Sequence, residues 1–159
     1  NPKRVGGMLF NQGAHALDLM LQICGPVKKI TKLTKSLRKH VKVDDIYLAL
    51  LQFQTGAVGR IEVTTYTKFQ NCEASLFVVG EKGSIKLGGH SFNKLEFKSL
   101  KNDAINGQAV NDSLTEVEDS HFKLIKTLNT YLLDGKKSKL LASAEDGVSV
   151  TEFIEKLYR

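Results

Sequence analysis

The chain of 159 residues has the length of one domain, enough to bury on the order of two thirds of its unfolded surface in a single core. Hydrophobic residues at 42% and charged residues at 25% match globular proteins and argue against both disorder and a membrane span. The 23 Lys and Arg against 17 Asp and Glu give a net charge of +6, a general attraction for anions that names no partner.

From Gly6 to Pro26 the apolar residues suit one helix about five turns long, closed by Gly25-Pro26, which cannot continue it. Asn11, His15, Asp18 and Gln22 follow one another at steps of four, three and four, which places all four on one stripe of an α-helix. No lysine occurs from Val5 to Val27, so the stripe is not an ordinary solvated face. Two readings fit it, the wall of a binding site and a capped helix bonded to neighbouring loops.

Val27, Ile30, Leu33 and Leu37 then recur as on a basic amphipathic helix, but the segment follows a helix stop and is rich in Thr, Val and Ile, so a strand is expected. Ile46–Phe53 and Ala57–Tyr66 around Gln54-Thr55-Gly56 predict a hairpin. Glu73–Val79 and Ser84–Leu87 around Gly80-Glu81-Lys82-Gly83 predict another. That glycine pair joins strand to strand, so it lacks the helix N-terminus an anion-binding loop needs. Asn93–Leu100 alternates as a strand, and Lys101 to Asp112 is polar and loop-like.

A helix over 117–134 aligns Phe122, Ile125, Leu128 and Leu132, and Ser143 with Asp146 marks the cap of a last helix carrying Phe153, Ile154, Leu157 and Tyr158. Strands grouped between helices predict an α+β fold, an open and mostly antiparallel β-sheet with helices packed on one face. Cys24 and Cys72 stand alone, without metal-binding spacing, so no metal site and a reducing, cytoplasmic setting are expected. The Lys28 to Lys42 run lacks interleaved aromatic residues, which argues against a nucleic-acid module.

Gly6-Gly7-Met8-Leu9-Phe10-Asn11-Gln12-Gly13-Ala14-His15-Ala16-Leu17-Asp18 resembles the G-G-x-L-x-D/N-x-G-x-H-x-x-D signature of the second domain of the glucose-fructose oxidoreductase and inositol dehydrogenase family (Gfo/Idh/MocA). Asp45-Ile-Tyr to Gly56-Ala, Val79 to Ile85, His121-Phe122 and Ala144 to Gly147 follow in that family's order. The resemblance implies the substrate-binding and oligomerisation domain of an NAD(P)-dependent sugar or nucleotide-sugar dehydrogenase, assembling into a homo-oligomer through its sheet face. It implies His15 as the base that takes the hydroxyl proton, and imidazole is suited to proton exchange near neutral pH. Asn11 replaces the commoner aspartate; an amide can orient a hydroxyl but cannot take its proton. Asparagine here is also similar to the subgroup of UDP-N-acetylglucosaminuronate 3-dehydrogenases.

Gln12 and Asp18 are the candidate substrate-binding residues. Gln12 suits either the pocket or the helix start, and Asp18 either orients His15 or bonds to backbone nearby. Neither a G-x-G-x-x-G fingerprint nor the family's Glu-Lys-Pro segment occurs. With Asn1 as its first residue, 1–159 is therefore expected to be a single sheet domain, a fragment without the N-terminal Rossmann domain that mainly binds NAD or NADP, and inactive alone. The alternative is a non-catalytic dimerisation or interaction domain. The isolated chain is expected to leave NADH fluorescence unchanged; tight binding of the dinucleotide would overturn the expectation of a missing cofactor domain.

Overall fold

The structure, a computed structural model, describes residues 7–40, 43–68, 73–89, 92–100, 120–136, 138 and 141–159. Gly6, Cys72, His90, the Lys101 to Asp112 stretch and the side chain of His121 lie outside the described residues. In chain order come a π-turn (Leu9–Gly13), α1 (Ala14–Cys24), β1 (Val27–Lys35), β2 (Ile46–Phe53), β3 (Val58–Thr64), β4 (Leu76–Gly80), β5 (Gly83–Gly88), β6 (Lys94–Leu100), α2 (Ser120–Asp134) and α3 (Ala144–Tyr158). The fold is α+β, and the described strands pair into two open antiparallel sheets, β1-β2-β3 and β4-β5-β6. Two compact units divide the chain, Asn1–Lys68 with Ala142–Arg159, and Phe69–Leu141.

In the first unit, β2 alternates cleanly. Tyr47, Ala49, Leu51 and Phe53 are buried, and with Ile61 of β3 they meet Met8, Leu9 and Leu17 from the N-terminal helix and Phe153, Ile154 and Leu157 from α3. Each buried Leu, Ile, Phe or Met side chain among them contributes roughly 1.5–3 kcal/mol of burial, so this cluster organises the unit. The opposite face of the sheet stays open, with Leu33, Leu50 and Val58 exposed.

The helical look of residues 27–33 has a physical origin. A bulge between Val27 and Lys29 shifts the side-chain alternation by one residue, so Val27 and Ile30 both pack on the core despite a spacing of three. Beyond it the period of two resumes, and Leu33 lies on the open face opposite Leu48. The strand is real, and the false helical period belongs to the bulge.

The turn between β2 and β3 closes with Phe53 N–H donating to the Ala57 carbonyl at 2.9 Å, and Gly56 takes the positive φ of 89° that the turn requires. At the C-terminal end, the Ser143 hydroxyl accepts from Asp146 N–H at 3.2 Å while the Asp146 carboxylate accepts from Ser143 N–H at 2.7 Å. The expected capping box therefore starts α3.

The second unit holds the sheet β4-β5-β6. Lys86 pairs with Glu96 at 2.9 Å and Glu73 at 3.4 Å, beside the edge-on rings of Phe77 and Phe97. These carboxylates, Glu96 first, hold the Lys86 ammonium above its ordinary range. Helix α2 forms over 120–134 of the expected 117–134, residues 117–119 lying outside the described residues, but Phe122, Ile125, Leu128 and Leu132 are exposed. Of the two C-terminal helices, α3 is the one whose apolar side the described residues cover. No described helix is long and apolar enough to cross a membrane.

The loop from β1 to β2 is tied by Asp45, whose side chain is fully buried. Its carboxylate accepts from the N–H groups of Leu37 at 2.7 Å and Arg38 at 2.8 Å, and from Arg38 Nε at 2.6 Å, with a second Arg38 nitrogen in contact. Arg38 also donates to Thr65 Oγ1 at 2.9 Å, joining the loop to the end of β3. The Arg38 guanidinium, helped by these backbone N–H groups, holds the Asp45 carboxyl below the usual carboxylate range. A depressed folded-state pKa adds stability above the unfolded value of about 3.9, and that stability disappears as pH falls through the folded value. Asp45→Asn is therefore expected to lower Tm at neutral pH and to flatten the fall of Tm below about pH 4, read by thermal melts across that range.

Candidate active site

The site is carried by the N-terminal helix, and its start is unusual. Gly7 has φ of 81°, and no side chain of Met8 caps the helix. The first N–H groups of a helix lack internal partners; here Leu9 N–H donates to the Tyr158 hydroxyl at 3.1 Å. The Tyr158 ring stacks on Phe10 at 6.3 Å and meets Tyr47 edge-on at 6.2 Å. A Cβ on Gly7 would fall on the hydroxyl end of Tyr158. Gly7 thus answers two demands, the left-handed φ and the close approach of the ring.

The other end is held as firmly. Gly25, at φ of 77°, donates its N–H to the Leu21 carbonyl at 2.8 Å, and the Thr55 hydroxyl donates to the Cys24 carbonyl at 2.8 Å. Burial pushes the Cys24 thiol pKa up, which keeps it in its unreactive protonated form.

Between these anchors the expected site residues lie on the outer side of the helix. Asn11, Gln12 and His15 are exposed, and Asp18 is half-buried. Asp18 accepts from Gln22 Nε2 at 2.9 Å, an (i, i+4) pair on one face. Among the described residues His15 has no hydrogen-bond partner, so the Asp18 carboxylate serves Gln22 and does not orient the imidazole.

The helix is also not one unbroken α-helix. Leu9–Gly13 forms a π-turn with i→i+5 bonding before α1 begins at Ala14. Asn11 and Gln12 sit in that wider turn, which rotates them out of the α-helical phase shared by His15, Asp18 and Gln22. Such turns recur at functional sites. Nothing in residue spacing marks this one, because the apolar residues Leu9 and Leu17 still reach the core across it.

Tyr158 and Gly7 are the residues that spacing alone does not reveal as part of the site. In the sequence Tyr158 reads as one more apolar position on the last helix. Burial pushes the Tyr47 hydroxyl up to about 12 and raises that of Tyr158 as well, so both remain neutral hydroxyls able to donate and accept.

Two shallow concavities lie elsewhere, one on the open sheet face beside Lys29, Leu50, Val58 and Arg60, the other along α2 beside Phe122 and Leu132. Among the described residues no group of His, Cys, Asp or Glu could hold a metal ion. The Gly80–Gly83 turn joins β4 to β5 directly, so it offers no helix N-terminus for a dinucleotide pyrophosphate.

The family model described as the GFO/IDH/MocA C-terminal domain matches residues 1–86, just over half of the chain. The chain belongs to this family. A curated relative, the uncharacterized protein YMR315W of Saccharomyces cerevisiae, is 32% identical over 87 residues, covering 53% of this chain and 24% of its own length. Among solved structures, the WlbA dehydrogenase of Bordetella pertussis in complex with NADH and UDP-GlcNAcA aligns with 96% of this chain and 42% of its own, at a TM-score of 0.75 and 24% identity. A WlbA dehydrogenase of Chromobacterium violaceum, also with NADH and UDP-GlcNAcA, aligns with 96% of this chain and 43% of its own, at a TM-score of 0.75 and 22% identity. Levoglucosan dehydrogenase in complex with NADH aligns with 96% of this chain and 47% of its own, at 0.74 and 18%. At these identities the likeness is one of fold, and the chain spans less than half the length of each of these proteins.

Two glycine substitutions separate the strained position from a merely flexible one. Gly147, in the first turns of α3, has open space where a Cβ would go, so Gly147→Ala is expected to stabilise by roughly 0.4–1 kcal/mol. Gly7→Ala, by contrast, must leave the left-handed region and displace the Tyr158 ring, with an expected loss of at least about 1 kcal/mol. Urea unfolding of the two variants reads both signs.

Proposed function

We propose that this chain is the substrate-binding and oligomerisation domain of an NAD(P)-dependent dehydrogenase that oxidises a hydroxyl of a sugar or nucleotide sugar to a ketone. The observation that carries the reading is the exposed set Asn11, Gln12 and His15, presented by a helix buried on its other side and anchored at both ends, in a chain of the GFO/IDH/MocA family.

In this reading the substrate hydroxyl lies against His15, whose imidazole takes its proton. The nicotinamide, bound mainly by an N-terminal domain of the longer protein, supplies the acceptor for the hydride that leaves the same carbon. Asn11 orients a neighbouring hydroxyl through its amide, which has one acceptor and two donor hydrogens but no basicity. Gln12, exposed in the same turn, contacts the substrate, and Asp18 steadies Gln22 beneath the site. A nucleotide sugar is the favoured substrate class. Two fold relatives hold UDP-GlcNAcA, and Asn11 resembles the residue of the subgroup acting on that compound.

The open face of β1-β2-β3 supplies the oligomer contact. Leu33, Leu50 and Val58 are 68%, 65% and 77% exposed there, and apolar side chains gathered on one sheet face favour association. The same observation favours a second reading, an interaction domain with no catalytic part. The two differ at His15. In the full-length protein, assayed with NAD+ and UDP-N-acetylglucosaminuronate, His15→Ala is expected to lower kcat by roughly two or more orders of magnitude with Tm unchanged. Wild-type turnover by that variant would remove His15 from the mechanism, and sedimentation of a Leu50→Glu variant reads the assembly separately.

A further inference from the structure

We propose that Tyr158 is a positioning residue for the site: its hydroxyl and ring hold the first turn of the helix that presents Asn11 and His15. This inference rests on the reading of His15 as the base. It draws on contacts that no spacing in the sequence expresses, since Tyr158 and Leu9 are 149 residues apart.

The hydroxyl is fixed from its own side before it meets the helix. The Leu157 carbonyl, in the last described turn of α3, accepts from Tyr47 Oη at 2.7 Å and from Lys32 Nζ at 2.8 Å. Those two bonds pin the last turn of α3 to β2 and β1. Arg159 N–H, donating to the Glu155 carbonyl at 3.1 Å, keeps that turn helical through the chain's last described residue. Tyr158 therefore projects from a held backbone, with Tyr47 against one part of its ring and Phe10 stacked on it.

From there the hydroxyl accepts the Leu9 N–H, the first donor of the π-turn. Met8 supplies no cap, so Tyr158 does the work a capping side chain would do, from 149 residues along the chain. The π-turn carries Asn11 and Gln12, and His15 follows in the first turn of α1. Loss of the bond frees the N-terminal turn to relax toward ordinary α-helix, which would rotate Asn11 relative to His15. Alignment of reacting groups is sensitive to shifts of about 1 Å, which can reduce rates by as much as about a hundredfold.

Tyr158→Phe keeps the ring and removes the acceptor. In the intact protein, amide exchange over Leu9–Gly13 is expected to become roughly five- to tenfold faster, with exchange in β2 unchanged. The turnover number is expected to fall by roughly tenfold with KM for NAD+ unchanged. In a His15→Ala background the same substitution is expected to change kcat no further, because a positioning residue acts through the group it positions. Unchanged exchange over Leu9–Gly13 would overturn the proposal, as would an equal loss of turnover with His15 absent. Should His15→Ala alone retain activity, the reading of His15 fails, while the exchange measurement still decides whether Tyr158 holds the turn. Tyr158→Leu, which also removes the stacking on Phe10, is expected to exceed Tyr158→Phe in both exchange and rate.

Discussion

The end of α3 is the joint on which the first unit depends. One backbone carbonyl, that of Leu157, receives a tyrosine hydroxyl from β2 and a lysine ammonium from β1, and the next residue reaches the start of the site helix. Through this joint a sheet, the last helix and the first helix share one core, although the first and last are distant in the chain. Met8, Leu9 and Leu17 enter that core from one helix while Phe153, Ile154 and Leu157 enter from the other.

This arrangement separates what is rigid from what is chemically available. The inner side of the N-terminal helix is committed to packing, and the outer side leaves Asn11, Gln12 and His15 exposed. Burial on one face fixes the position of the other, and backbone bonds at the two ends, to Tyr158 and Thr55, resist rotation about the helix axis. The Asp45 clamp does a similar service for the loop that links β1 to β2. A buried carboxylate needs several donors to be tolerated, and Asp45 receives them from two backbone groups and a guanidinium.

Much of this was legible before the structure. Alternation in Ile46–Phe53 and the turn at Gly56 are local signals, and the strands formed where those signals lie. The Ser143 and Asp146 cap was equally local, because a capping box needs only residues three apart. The helical period at Val27 and Ile30 misled for a reason that lies outside the segment. A bulge is defined by the partner strand, which the segment does not contain. The stripe of Asn11, His15, Asp18 and Gln22 was right in setting an exposed polar side against a buried one. Its α-helical phase holds from Ala14 onward, and Asp18, expected either to orient His15 or to bond to nearby backbone, accepts instead from Gln22, the (i, i+4) neighbour with an amide to donate.

By itself the sequence determined the element types, the caps, the turn glycines and the membership of a family, since all of these are written in local spacing and residue type. Only the tertiary structure decided that the helix begins with a π-turn, that Gly7 faces a tyrosine ring, and that Tyr158 caps Leu9. The physical reason is the range of the forces involved. Periodicity and capping act within a turn or two of chain, whereas a hydroxyl meets a backbone N–H 149 residues away only after the core has brought both together.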